Sequence, residues 1–190
     1  MTHPAFIRRV AGLMSGVVAL FCVSALSAAA SGASVTLEDG LIEGADENGV
    51  RVFKGIPFAA PPVGDLRWRA PAPPAPWSGV LKADRFAPVC VQRGAYPEDS
   101  PPEPMSEDCL YLNVWAPADA GGKPLPVMVW IYGGGLQNGS ASTPLYRGDA
   151  LARRGVIVVT ANYRLGALGF LAHPGLTAES PERVSGNYGL

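Results

Sequence analysis

The segment LPVMVWIYGGGLQNGS, residues 125–140, determines how the rest of the chain is interpreted. It begins as an unbroken apolar run of β-forming residues, which is typical of a strand covered on both faces. The run ends in three consecutive glycines, Gly133, Gly134 and Gly135. A second run of the same kind, VIVVTANYRLG, follows a short helical segment, GDALARRG. Two buried strands joined through a loop and a helix indicate the start of an α/β sheet.

The segments upstream predict an antiparallel ribbon and an extended surface stretch. SVTLEDGLIEG and VRVFKGIPFA indicate short strands, with Asp39-Gly40 fitting a hairpin turn and Asn48-Gly49 leading into the next strand. PPVGDLRWRAPAPPAPWSG contains too much proline for a helix or a central strand, so it should run extended over the surface. We expect its two tryptophans, Trp68 and Trp77, to attach it to the body of the protein.

Residues 1–30 have the pattern of a secretory signal peptide. Arg8 and Arg9 precede an acid-free apolar run, and small residues follow it, with cleavage expected after Ala30 or Ala33. An uncleaved anchor helix is the alternative, because the apolar run with its Ala/Ser tail approaches the length needed to span a membrane. The arginine pair also allows a twin-arginine route. The prediction is a secreted or periplasmic protein, with no stable membrane insertion after cleavage and one domain over residues 31–190.

The composition after cleavage excludes nucleic acid as a partner and leaves few cysteine and histidine residues for a metal or catalytic site. Residues 1–30 hold two arginines and no acid, so 13 basic residues then face 16 acidic ones, a net charge of −3. No basic patch remains to bind nucleic acid. Cys90, Cys109 and His173 also remain. Two cysteines in an exported chain predict one disulfide, with two free buried thiols as the alternative, and their spacing excludes a CxxC metal site.

The glycine run predicts backbone donors at a binding site. Ligands of open α/β sheets bind beyond the carboxyl ends of the strands, where Gly133 to Gly135 lie. Glycines allow successive amide N–H groups to approach a bound anion closely. A phosphate loop would need a following Gly-Lys-Ser/Thr or a GxGxxG pattern, and GGGLQNGS has neither. An oxyanion hole needs only convergent amides, and a flexible turn is the remaining alternative.

Five motifs decide between these alternatives. VFKGIPFAAPPVGDLRW, SEDCLYLNVWAP, VMVWIYGGGLQNGS, VIVVTANYRLGALGFL and GNYGL occur in this order, and together they resemble the type-B carboxylesterase family from about Val35 to Leu190. The resemblance implies an α/β-hydrolase fold in which an antiparallel N-terminal ribbon leads into a mostly parallel central sheet, here incomplete. It also implies hydrolysis of small-molecule carboxylic esters by a serine triad through an acyl-enzyme, without a metal or other cofactor.

The resemblance assigns roles to residues of the glycine segment. Gly134 and Gly135 would supply two oxyanion donors, with a third from the residue after the nucleophile, and Gly133 would shape the turn. Tyr132 stands where many relatives carry histidine, and Leu136 where they often carry phenylalanine. Both differences would alter the wall of the pocket and leave the backbone donors available.

Two further pairs of residues follow from the resemblance. Cys90 and Cys109 match the family's first disulfide, and Arg67 and Glu107 match a structural ion pair. The segment between the two cysteines contains no tryptophan, which makes a cholinesterase improbable.

No triad is found in this chain. No serine has the GxSxG pattern of a nucleophile elbow, so we expect Ser140 and Ser185 to be loop residues and His173 to be a surface or capping histidine. The chain is therefore predicted to be the N-terminal portion of a secreted carboxylesterase, truncated before the elbow and inactive alone. A non-catalytic esterase-like adhesion or binding protein, or an inactive truncated product, is the alternative. The strand Val156 to Thr160 should remain unpaired along one side.

Overall fold

The computed structural model describes residues 33–93 and 103–189, so the predicted signal peptide, residues 1–30, lies outside the described residues. The strands are β1 (Ser34–Leu37), β2 (Gly40–Glu43), β3 (Ala45–Glu47), β4 (Val50–Pro57), β5 (Val80–Lys82), β6 (Val89–Cys90), β7 (Met105–Ser106), β8 (Tyr111–Pro117), β9 (Val127–Trp130) and β10 (Ile157–Ala161). The helices are α1 (Asp149–Ala152), α2 (Gly166–Phe170) and α3 (Pro174–Glu179), with 3-10 turns at Gly64–Leu66 and Pro144–Tyr146. In the part of the chain described here, every helix is too short to cross a membrane.

The central sheet has five strands in the order β3-β4-β8-β10-β9. The pairs β3/β4, β4/β8 and β8/β10 are antiparallel. The pair β9/β10 is parallel, as expected for two apolar strands joined by a loop and a helix. The described part of this sheet is therefore mixed, with its parallel portion beginning at β9 and β10. A smaller sheet, β1-β2-β5, lies at the N-terminal end of the chain.

The prediction of an open edge at Val156 to Thr160 is wrong. Strand β10 pairs with β8 on one side and with β9 on the other. The crossover after β9 returns the chain to a position between β8 and β9, so the earlier strand becomes the edge. All four residues of β9 are exposed among the described residues, including Val127 at 60% and Val129 at 59%. The expected cover on both faces of β9 is therefore not found in the described part of the chain.

The predicted N-terminal ribbon and its turns are present. Strands β1 and β2 form a hairpin in which Leu37 pairs with Gly40, so the turn lies at residues 38–39, one position earlier than predicted. Strands β3 and β4 are joined by Asn48 and Gly49, whose φ angles of 51° and 79° fit the left-handed turn that Asn-Gly favours.

The predicted surface stretch is attached by its tryptophans. Trp68 Nε1 donates a hydrogen bond of 2.9 Å to the carbonyl of Ala167. Trp77 Nε1 donates one of 2.9 Å to the carbonyl of Leu41. Both side chains therefore connect the proline-rich stretch to the body of the protein, as predicted.

Of the three apolar clusters among the described residues, two differ in their position relative to the glycine run. One packs around Trp115 and lies against α1. The other lies near the carboxyl ends of β9 and β10, and its buried residues are Ala59, Cys90, Cys109, Leu110, Tyr132, Ala141, Tyr163 and Leu165. This second cluster, called the disulfide cluster below, supports the glycine segment.

Candidate functional site

The glycine run begins three residues after the end of β9, and Gly133, Gly134 and Gly135 are all exposed. The backbone has positive φ angles at Gly134 (138°), Gly135 (61°) and Leu136 (61°). The carbonyl of Gly134 accepts hydrogen bonds from the amides of Gln137 (3.1 Å) and Asn138 (3.3 Å). These bonds close a tight turn, and glycine adopts positive φ angles without the steric cost of a Cβ.

The amides of Gly134 and Gly135 are open. Within residues 33–93 and 103–189, neither amide N–H donates a hydrogen bond. A Cβ built at Gly133 or Gly135 would meet nothing within 4 Å. Exposed backbone donors beyond the carboxyl end of a strand can bind an anion or a partly charged oxygen.

The turn is attached to the protein at two points that follow these amides, Leu136 and Gly139. The amide of Gly166, the first residue of α2, donates a bond of 2.7 Å to the carbonyl of Leu136. The amide of Gly139 donates to Gln92 Oε1 at 2.8 Å, and Gln92 Nε2 donates to the carbonyl of Gly139 at 3.0 Å. The segment between these contacts and β9 is therefore held without use of the amides of Gly134 and Gly135.

Tyr132 supports the turn from beneath. Its ring stacks on that of Tyr163 with 4.4 Å between centroids, and Tyr163 Oη donates to the carbonyl of Tyr132 at 2.9 Å. Burial raises the pKa of Tyr132, so its hydroxyl stays protonated and donates to the carbonyl of Tyr163 at 3.3 Å. A Cβ at Gly139 would lie 2.4 Å from Tyr132 Cδ2. Tyr132 is 2% exposed, so it lies under the turn and does not line an open wall, contrary to expectation.

An open cavity of about 350 Å³ borders the turn. Its lining includes Gln137 of the turn, Gly166 and Leu165 from the start of α2, and Gln92 with Arg93 from the segment after β6. Leu136 is exposed at the surface of the same turn. The cavity therefore reaches the turn at Gln137, and Gly133, Gly134 and Gly135 are not among its lining residues.

The predicted disulfide joins Cys90 and Cys109, whose Cα atoms are 5.0 Å apart. Beside it, Arg67 Nη2 donates to Glu107 Oε1 at 2.8 Å, and Arg67 Nε donates to the other carboxylate oxygen. The hydrogen bond from Arg67 holds the pKa of Glu107 below its ordinary value. The ion pair and the disulfide border one small cavity that also contacts Leu165. Both act on the framework below the glycine run and do not reach the amides.

The serines and the histidine considered in the sequence do not assemble into a catalytic pair. His173 precedes α3, and its Nδ1 accepts a hydrogen bond of 3.1 Å from the amide of Gly175, so it is a capping histidine as predicted. Ser185 Oγ bonds the backbone N–H and C=O of His173. Ser140 is buried in a loop, 2.7 Å from Ser142 through their hydroxyl oxygens. Residues 33–93 and 103–189 contain no His, Cys, Asp and Glu cluster able to hold a metal ion.

Gln92 is the site residue that the sequence did not reveal. Its position two residues after Cys90 places it near the disulfide, which is the only local signal. Its contact with Gly139 joins residues 47 apart in the chain, and such a contact depends on the tertiary fold. Gln92 is 9% exposed.

Comparisons with known proteins agree on one family. Residues 31–190 match the carboxylesterase family. The chain is 58% identical over 153 residues to a fumonisin B1 esterase of Sphingopyxis macrogoltabida, covering 80% of this chain and 28% of that protein. It is 52% identical over 140 residues to the para-nitrobenzyl esterase of Bacillus subtilis (strain 168), covering 72% and 28%. The solved structure of a thermophilic PNB esterase superposes with a TM-score of 0.74 at 48% identity, covering 82% and 32%. The chain thus spans less than a third of the length of each.

Proposed function

The chain belongs to the carboxylesterase family, and on that premise we propose that it forms the N-terminal portion of a secreted serine carboxylesterase. The enzyme would hydrolyse small-molecule carboxylic esters through an acyl-enzyme intermediate. One observation carries the proposal. The amides of Gly134 and Gly135 are exposed and have no hydrogen-bond partner among the residues that the structure describes.

The proposed role of these amides is to bind the oxyanion. When a nucleophile attacks an ester, the carbonyl oxygen gains negative charge, and preorganised N–H donors lower the energy of that state. Each donor is worth about 100- to 1000-fold in rate. A Cβ at Gly135 would enter the open space beside the amides, whereas one at Gly134 would lie 2.0 Å from the carbonyl oxygen of Asn138 and force the turn to shift. Glycine at positions 134 and 135, with Gly133 shaping the turn, is consistent with donors that must stay in place and accessible.

The triad is proposed to come from the part of the relatives' length that this chain does not span. No GxSxG motif occurs here, and His173, the one histidine after residue 30, caps a helix. We therefore expect residues 1–190 alone to bind ester oxygens weakly and to hydrolyse nothing. Export remains a proposal as well: the disulfide between Cys90 and Cys109 favours an oxidising compartment, in agreement with the pattern of residues 1–30.

The test is to express the complete gene product that contains this chain and to measure hydrolysis of p-nitrophenyl butyrate. We expect turnover that an alkyl fluorophosphonate abolishes by reacting with the serine, and no turnover by residues 1–190. A complete product that is folded, by circular dichroism and cooperative melting, and hydrolyses no ester would favour the adhesion or binding alternative. Turnover by residues 1–190 would contradict the proposed origin of the triad.

A further inference from the structure

Among the residues that the structure describes, the side chain of Gln92 makes three hydrogen bonds, all to main-chain atoms. Its Oε1 accepts from the amide of Gly139 at 2.8 Å, and its Nε2 donates to the carbonyl of Gly139 at 3.0 Å. Nε2 also donates to the carbonyl of Cys90 at 3.0 Å. The carboxamide thus pairs with Gly139 as a neighbouring strand would, while staying fixed to the disulfide-bonded residue of β6.

These contacts require a carboxamide. An amide group carries one acceptor oxygen and two N–H donors, whereas a carboxylate only accepts. A carboxylate at this position would face the carbonyl oxygens of Gly139 and Cys90 without a proton to share. Methionine would keep the length and the burial of Gln92 and lose every hydrogen bond.

The attachment lies next to the proposed oxyanion donors. Gly139 is four residues after Gly135, and between them Leu136 provides the other attachment through its bond with Gly166. At Gly139 itself the φ angle is 122° and the ring of Tyr132 leaves no space for a side chain. Gly139 therefore keeps its position through the contacts of its own backbone, of which the two with Gln92 are hydrogen bonds.

We propose that Gln92 is a positioning residue that fixes the amides of Gly134 and Gly135 relative to the disulfide cluster. The proposal rests on the proposed function, since it assigns Gln92 a task in oxyanion binding. Gln92 acts through Gly139 and does not touch the substrate. Its loss leaves the donors present and lets them move, which lowers the stabilisation of the transition state more than the binding of the neutral ester.

The test uses Gln92→Met and Gln92→Glu in the complete gene product. We expect kcat to fall by about 10- to 100-fold in both variants, less than for a lost donor, while KM changes by less than about threefold. Hydrogen exchange of the peptide covering residues 133–139 should become at least about tenfold faster, because the amide of Gly139 loses an ordered acceptor in the methionine variant.

The glutamate variant provides a pH readout that a purely structural role would not produce. Burial and the two facing carbonyls raise the pKa of the introduced carboxyl, and its protonated form regains a donor. The basic side chain that borders the adjoining cavity, Arg93, opposes that rise. As the pH is lowered from 8 to 5, the ratio of variant to wild-type kcat should therefore increase for Gln92→Glu and stay constant for Gln92→Met.

The outcomes separate this proposal from the proposed function. If both variants keep kcat within about twofold of wild type, Gln92 does not position the donors, even if the melting temperature falls. Unchanged hydrogen exchange over residues 133–139 in Gln92→Met would overturn the proposal, whether or not the protein is an active esterase. A wild-type product without esterase activity would refute the proposed function but not the role of Gln92. The hydrogen-exchange measurement would still decide whether Gln92 holds the turn.

Discussion

Replacing Gly135 by valine tests whether its amide faces the reacting carbonyl. The φ angle of Gly135 is 61°, and a Cβ there would meet nothing within 4 Å. A Cβ at this position therefore clashes with no described atom and lies in open space. Its two effects, on the backbone and on the space for the substrate, are separable with a matched control.

Gly122 provides that control. It lies in the exposed turn between β8 and β9, has a φ angle of 70° and also has nothing within 4 Å of a built Cβ. A left-handed conformation costs a residue with a Cβ about 1–2 kcal/mol, so Gly135→Val and Gly122→Val should destabilise the protein by similar amounts. Only the change at Gly135 places a methyl group where the oxyanion would bind.

The expected loss of activity follows from the value of one donor. Blocking the Gly135 amide should reduce kcat by about 100- to 1000-fold, equivalent to about 3–4 kcal/mol of transition-state stabilisation. Gly122→Val should leave kcat within about twofold of wild type. The assay is steady-state hydrolysis of p-nitrophenyl butyrate by the complete gene product, with thermal melting of each variant measured in parallel.

Two results would refute the reasoning. If Gly135→Val keeps kcat within about threefold of wild type, its amide does not serve the reaction. If both variants lose activity and stability equally, the loss at Gly135 reports backbone strain and not a blocked donor.

Three other changes test the framework below the glycine run. Cys109→Ser breaks the disulfide and should lower the free energy of unfolding by about 3 kcal/mol, measured by urea titration against wild type under non-reducing conditions; an unchanged midpoint would contradict it. The pKa of Glu107 is lowered from 4.5 by the bond from Arg67, so the pair stabilises the protein above that pH and the effect is lost as the pH falls through the lowered pKa. Melting temperatures from pH 7 to pH 3 should therefore decline less in Glu107→Gln than in wild type, and parallel curves would count against the pair. Gly139→Ala places a Cβ 2.4 Å from the ring of Tyr132 and should cost about 2–4 kcal/mol from strain and overpacking, with loss of soluble protein as the first sign.

The features that were predictable from the sequence are those encoded within a few residues. The Asn48-Gly49 turn follows from the preference of that pair for positive φ, and the extended proline-rich stretch follows from the missing N–H groups of proline. The position of Gly133 beyond the carboxyl end of β9 was likewise predictable from local sequence, because an apolar β-forming run is followed directly by glycines. The disulfide was also predictable, because Cys90 and Cys109 are the two cysteines that lie outside the predicted signal peptide, and they offer one pairing.

Strand order depends on information that short segments do not contain. β9 and β10 have the same apolar β-branched character, so composition cannot tell which of them lies inside the sheet. The direction of the crossover decides it, and that direction depends on where α1 packs against β8 and β10. The error at Val156 to Thr160 thus came from assuming that the later strand is the outer one.

The glycine segment shows why its contacts were harder to predict than its location. Most backbone N–H groups of a folded protein are paired with backbone, side-chain or water partners. Here the attachments fall at Leu136 and Gly139, both after the amides of Gly134 and Gly135, which have no described partner. Those attachments come from Gly166 and Gln92, which are distant in sequence and have no motif of their own. Tight anchoring beside free donors favours charge developing on a bound oxygen, because donors that are already oriented need no reorganisation at the moment of reaction, whereas bulk water does. The rigidity of the turn, and not the presence of glycine alone, is therefore the property on which the proposed catalysis depends.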